Sequence, residues 1–160
     1  MNDITLLGYR PGGLASLCAL QSDYYAREWD FDHRYESVVS ASMAEFLTRY
    51  DPARDFVQLA VQDGVVKGGI TIDSLDGQLA QLHWFILHDD LRGSGTGSRL
   101  IANAMTFVGE QGYPRVYLTT FQGLDAARHL YEKAGFTLTE EQEASTWGRT
   151  VVEQRFDWTA

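Results

Sequence analysis

Between an apolar run, Leu82 to Leu87, and a helix-periodic segment, Ser98 to Gln111, lies Leu91-Arg92-Gly93-Ser94-Gly95-Thr96-Gly97-Ser98. A glycine-rich turn therefore joins strand to helix. Amides at a helix start carry unpaired donors and the positive end of the macrodipole, and glycines let an anionic ligand approach the main chain. Arg92 adds a fixed positive charge. The turn is a place to bind phosphate, although a Gly/Ser loop that merely turns a corner would read the same way.

Spacing narrows the ligand. A dinucleotide fingerprint needs G-x-G-x-x-G, and its last position falls on Ser98 counted from Gly93 or on Leu100 counted from Gly95. An NTPase phosphate loop needs Lys and then Ser or Thr after its last glycine, whereas Gly97 is followed by Ser98 and Arg99. What remains is R-x-x-G-x-G, Arg92 to Gly97. This resembles the pyrophosphate-binding signature of the GNAT acyl-CoA N-acyltransferase superfamily. Downstream, Leu130-Tyr131-Glu132-Lys133-Ala134-Gly135-Phe136 is similar to the superfamily's L-Y-x-K-x-G-F element. Gly135 reads as the residue past a helix end, with Lys133 favourable in the last turn. The likeness is closest to acetyltransferase domains that occur alone or fused behind MarR-type winged-helix regulators. It rests on Tyr25-Ala26-Arg27-Glu28, Ala126-Ala127-Arg128-His129-Leu130-Tyr131 and Trp147-Gly148. No winged helix is expected here, because the first strand follows Met1 almost at once.

At 160 residues and 44% hydrophobic, the chain can build one core and reads as a single domain, 1–160. No apolar run approaches the ~20 residues of a membrane span. Met1-Asn2-Asp3 lacks the marks of a signal peptide, and Cys18, the only cysteine, cannot form an internal disulfide, so a cytoplasmic protein is expected. Cys18 sits in an apolar helical stretch without a nearby His, which reads as a buried thiol and not a nucleophile. A formal net charge of -9 argues against nucleic acid and suits a cationic acceptor. The four histidines, His33, His83, His88 and His129, lack ligand spacing, so no metal is expected.

Along the chain, Ile4–Tyr9 reads as a strand, 14–29 and 35–50 as helices, and Phe56–Gln62, Val65–Leu75 and Gln78–Leu87 as strands turned by Asp63-Gly64 and Asp76-Gly77. A helix to Gln111, a strand from Arg115 to Thr120, a helix from Leu124 to Ala134 and strands over 136–143 and 150–158 complete it. The order is β-α-α-β-β-β-α-β-α-β-β, an α/β (α+β) chain. The resemblance implies a GNAT fold, a mixed splayed sheet of about seven strands with four helices. Acetyl-CoA is then expected in the splay. Its pyrophosphate would lie on Arg92, Gly93, Ser94, Gly95, Thr96, Gly97 and Ser98, its pantetheine arm on the backbone of Phe85, Ile86 and Leu87, and Ala127 and Tyr131 beside it.

An alkyl amine with a pKa near that of lysine is about 0.04% neutral at pH 7, so freeing the nucleophile costs about 4.6 kcal/mol. In much of the superfamily a strand Glu serves as base through water, and the aligned position here is Gln81, which cannot take a proton. Two residues on, along the same strand face, His83 is the candidate base, with a plain sheet-surface histidine as the alternative. By the resemblance Tyr131 protonates the departing thiolate. A packing stripe of Leu124, Ala127, Tyr131 and Ala134 would explain the same ring. Many relatives have Asn where this chain has Leu124, so one hydrogen bond to pantetheine is absent.

The acceptor is expected to be a small-molecule or peptide amine held by Tyr25, Glu28, Trp29 and Gln81, since aromatic walls with carboxylates suit an ammonium. Two function classes follow: an acetyl-CoA-dependent N-acetyltransferase working by direct attack in a ternary complex, or a non-catalytic acyl-CoA sensor. Trp147, Phe156 and Trp158 on the last strands, read as exposed, suggest a homodimer.

Overall fold

Turn and cap chemistry set the element boundaries. In the computed structural model, which describes residues 3–160, the strands are β1 (Ile4–Leu7), β2 (Phe56–Gln62), β3 (Val65–Asp73), β4 (Leu79–Leu87), β5 (Arg115–Phe121), β6 (Thr137–Ala144) and β7 (Val151–Thr159). The helices are α1 (Gly13–Trp29), α2 (His33–Thr48), α3 (Thr96–Gln111) and α4 (Asp125–Lys133), interleaved in the expected order. Asp32 caps α2 by accepting the Arg34 amide at 3.0 Å, which satisfies one of the donors a helix start leaves open. Gly112 ends α3 at φ 73, a left-handed backbone that glycine adopts without strain.

Element ends fall within two residues of the sequence expectation, and the shifts at the β3–β4 loop and at the start of α3 have a local cause. The β2–β3 hairpin turns on Asp63 and Gly64, both at positive φ, as a primed turn requires. Between β3 and β4 the positive φ values fall instead on Leu75 and Gly77, and Asp76 Oδ1 accepts the amides of Gln78 and Leu79. That Asx turn needs more residues than a tight hairpin, so β3 stops at Asp73 and β4 starts at Leu79. Helix α3 begins at Thr96, before Ser98, because Gly95 at φ 80 serves as its N-cap.

All the strands form one seven-stranded sheet in the order β1-β2-β3-β4-β5-β7-β6. Strands β4 and β5 run parallel and pair only across Leu79–Gln81 and Arg115–Tyr117. Beyond Gln81 and Tyr117 they part, and the sheet opens. On one face α1 and α2 bury Leu14, Leu17, Phe46 and Leu59; on the other α3 and α4 bury Leu100, Val108, Phe136 and Phe156. At about 1.5–3 kcal/mol per buried side chain, these two layers hold the strands on either side of the opening. Phe156 is fully buried, Trp158 packs half-buried on Gly135, and Trp147 lies half-buried against Phe121. The three rings therefore form no exposed face, which corrects the expectation that they are exposed. No helix among the described residues is long and apolar enough to cross a membrane.

The strand beside the opening carries a bulge. Trp84 and Phe85 of β4 stand opposite the single residue Ile70 of β3, and Trp84 takes φ 52, an outlier for a bulky side chain. A bulge resets side-chain alternation. Leu82 points to the α3–α4 layer, Trp84 and Ile86 to the α1–α2 layer, and Phe85 and Leu87 back to the first. His83 and Trp84 consequently share a face, their rings stacked 4.2 Å apart and tilted by 15°.

Candidate active site

The turn after β4 is built to leave amides free. His88 Nδ1 accepts the Asp90 amide, a single 3-10 turn spans Asp89–Leu91, and the Ser94 hydroxyl bonds Leu91 O and Thr96 Oγ1. Gly93 and Gly95 take φ 77 and 80. In that conformation the amides of Gly93, Gly95, Gly97 and Ser98 meet no acceptor among the described residues. Together with the α3 macrodipole they form an anion-binding concavity. Arg92 stands beside it, bonded through Nε to Asp89 at 3.0 Å and lying over the Tyr24 ring at 5.5 Å. These groups open on a cleft of about 570 Å³ that runs along Phe85, Ile86 and Leu87 to Leu124 and Ala127. The Ser94 hydroxyl and the buried Thr96 brace the loop, and neither residue lines the cleft.

A Cβ at Gly95 would touch no protein atom, so an alanine there reports on the cleft, apart from about 1–2 kcal/mol for placing an L-residue in a left-handed conformation. Gly95→Ala is expected to give a folded protein whose acetyl-CoA affinity falls at least about tenfold, read by titration calorimetry. Unchanged affinity would contradict the anion site.

A second, smaller cleft of about 250 Å³ enters from the α1–α2 side. It reaches Gln81, His83 and Trp84 of β4, Phe121 of β5, and Tyr131. Tyr25, Phe85, Leu124 and Ala127 line both clefts, so the two meet where β4 and β5 part. Gln81 Oε1 accepts the Tyr117 hydroxyl at 2.8 Å.

Behind His83 lies a charged cluster. Asp73, 1% exposed, receives two bonds from Arg49 at 2.7 and 2.8 Å, and Arg49 also grips Glu45 at 2.7 and 2.9 Å. His83 Nε2 is buried and stands 3.5 Å from Asp73 Oδ2. Two carboxylates and one guanidinium give this cluster one net negative charge. Burial alone would raise the Asp73 carboxyl, but the bonds from Arg49 and the Leu75 amide, with the His83 imidazole close by, overcome it and hold the group below the usual carboxylate range. A depressed carboxyl stabilises the fold above its unfolded pKa and loses that contribution as pH falls toward its folded value. Asp73→Asn should therefore lower the melting temperature at neutral pH, by about 2 kcal/mol of stability. The gap from wild type should close below roughly pH 4. A gap that stays constant on acidification would contradict this.

Two phenols bear on the site: Tyr25 lines both clefts, whereas Tyr131 lines the smaller one and not the cleft along the glycine turn. Burial pushes Tyr131 well above its usual range, and burial with neighbouring Tyr131 and Tyr24 does the same to Tyr25, so both stay protonated at neutral pH. The Tyr131 ring is packed by Phe85, Phe136 and Phe156 at 6.0–6.3 Å, while its hydroxyl has no hydrogen-bond partner among the described residues. Cys18 lines neither cleft, and burial raises its thiol pKa. No group of three or more His, Cys, Asp or Glu among the described residues could hold a metal.

Glu28 and Trp29 line neither cleft. Glu28 is exposed at 3.4 Å from Arg27, and Trp29 packs edge-on to Phe121 and fills the space beside Gly123, where a Cβ would lie 2.4 Å from its ring. Two residues of the site were not singled out by sequence, Asp73 and Gln21. Gln21 had a signal. It interrupts the α1 stripe Leu14, Leu17, Cys18, Tyr25, the one polar side chain on a buried apolar face.

A sheet splayed between a parallel pair, with an anion-binding helix start on one side and an aromatic cleft on the other, defines an acyl-CoA-type transferase fold. Residues 14–136 match the model of the acetyltransferase (GNAT) family, and the chain belongs to that family. Solved structures agree in fold. An acetyltransferase from Streptococcus agalactiae has a TM-score of 0.74 at 18% identity, covering 98% of each chain. A GNAT-family acetyltransferase from Streptococcus pneumoniae gives 0.70 at 20%, over 99% of this chain and 100% of that one. The protein yncA of Salmonella typhimurium, solved with its cofactor acetyl-CoA, gives 0.72 at 16%, over 98% and 94%. No curated protein matches the chain.

Proposed function

We propose that the protein transfers an acetyl group from acetyl-CoA to a primary amine of a small molecule or peptide, by direct attack in a ternary complex. The observation that carries this is the meeting of the two clefts at the β4 bulge, which lets donor and acceptor touch without a covalent relay through the protein. The residues present fit the cofactor: four free amides and Arg92 suit a pyrophosphate, and beyond Gln81 the β5-facing edge of β4 has no strand partner to occupy its backbone groups. When bound, acetyl-CoA supplies the activated thioester.

The chain's own residues move the protons. His83 takes a proton from the incoming ammonium, with Asp73 3.5 Å from its Nε2 and Arg49 and Glu45 behind that carboxylate. The amine nitrogen then bonds to the acyl carbon as the carbon–sulfur bond breaks. Tyr131, protonated and with a hydroxyl that no described residue engages, gives its proton to the departing sulfur; the second proton shed by the nitrogen as the amide forms returns to the Tyr131 oxygen, and His83 releases its own to solvent. Gln81, in the acceptor wall, accepts the Tyr117 hydroxyl and takes no proton. A cytoplasmic setting and a place among the domains related to MarR-fused acetyltransferases belong to this same reading.

Thiol release from acetyl-CoA over an amine panel tests the proposal. The expected result is amine-dependent release with the acetylated amine as coproduct. Tight acetyl-CoA binding with no release for any amine would favour a non-catalytic sensor.

A further inference from the structure

The wall of the smaller cleft is made of aromatic rings, aliphatic side chains, hydroxyls, two amides and the His83 imidazole, with no Asp, Glu, Lys or Arg. Tyr25, Tyr35, Trp84, Phe121 and Trp147 are among the rings. Charged groups near its mouth are engaged elsewhere: Asp32 with Arg34 at 2.9 Å, Asp30 with Arg149 at 3.1 Å, and Glu153 with the amide and hydroxyl of Thr146 at 2.8 Å each. Asp73 lies behind His83, matched by Arg49. A second feature points to a ligand. Gln21, 6% exposed, lines this cleft with a buried Oε1 that has no hydrogen-bond partner. A buried acceptor left unmet by the protein is destabilising, and a ligand N–H would satisfy it.

We infer that this cleft takes a small amine carried on an uncharged aromatic or apolar body, oriented by the Gln21 amide oxygen, and selects against amines that bear a carboxylate or a second cation. The inference rests on reading this cleft as the acceptor side. A single ammonium is attracted to the ring faces, whose quadrupoles are negative there, and loses its charge on passing a proton to His83. A carboxylate on the same molecule would meet those negative ring faces and no guanidinium or ammonium, and a second ammonium would be buried without a counter-charge. The volume, about 250 Å³, lies just under the roughly 300–1,000 Å³ of common ligand pockets, which sets the acceptor as small. Glu28, outside the cleft, supplies no carboxylate to it.

Binding of 2-phenylethylamine, L-phenylalanine and 1,4-diaminobutane to the CoA-loaded protein, by titration calorimetry, separates these classes. Thiol release from acetyl-CoA is measured in parallel. Phenylethylamine is expected to bind at least about tenfold tighter than either competitor. Gln21→Leu is expected to weaken that binding about tenfold without lowering the melting temperature or acetyl-CoA affinity, because it removes a polar atom the fold leaves unsatisfied. Equal or tighter binding of phenylalanine or the diamine overturns the inference, as does a folded Gln21→Leu protein with wild-type amine affinity. Were the variant not to fold, the wild-type panel still decides. A kept preference with no thiol release would overturn the transferase reading and leave the selectivity standing, whereas release with a reversed preference does the opposite.

Discussion

Tyr131→Phe is expected to lower kcat by about 100-fold or more, the scale of a lost general acid, with acetyl-CoA affinity unchanged. The ring keeps its packing against Phe85, Phe136 and Phe156, so the fold loses almost nothing. What disappears is a hydroxyl that burial keeps protonated and that no protein group engages among the described residues. A purely structural tyrosine predicts the reverse pattern, since removing an unengaged hydroxyl would leave the rate intact. Measuring kcat and acetyl-CoA affinity side by side separates the two, and full kcat in a folded Tyr131→Phe protein would take Tyr131 out of the chemistry.

His83→Gln should reduce kcat/KM by about 100-fold near neutral pH and flatten its dependence on pH. The sign follows from the role: a base works deprotonated, so the wild-type rate rises as pH rises through the imidazole's titration, and a glutamine has no such limb. The Asp73 cluster is unchanged by the substitution except for the loss of its contact at 3.5 Å. Profiles that rise alike in wild type and His83→Gln would assign the proton to a water relay or to an amine that arrives neutral.

The two substitutions act on one place because of how the strands part, and that place was only partly legible in the sequence. Local signals were strong where backbone chemistry is local. Asp63-Gly64 marked a primed hairpin, and Arg92–Gly97 marked the helix start whose amides stand free. The element order could be read because each periodic stretch ends in glycine, proline or an Asx turn. The bulge at Trp84 could not be read, since Trp-Phe-Ile-Leu looks the same in a straight buried strand, and only the pairing with Ile70 shows the extra residue. Asp73 was hidden for a related reason. Its partners, Arg49 on α2 and His83 on β4, are brought to it by tertiary packing, with no spacing pattern to announce them. The β3–β4 loop misled because Asp-Gly suits both a tight turn and an Asx turn, and the difference lies in Leu75 at φ 48. Phe156 was taken as exposed from its place near the chain end, yet it alternates inward on β7 beneath α4.

The central claim is that donor and acceptor meet directly across the open strands, with no acyl group carried on the protein. Cys18, the only cysteine, lines neither cleft. Initial rates with acetyl-CoA and an accepted amine varied together test this most directly. A ternary complex predicts double-reciprocal lines that intersect; parallel lines, the mark of a covalent acyl-enzyme and ping-pong exchange, would contradict it.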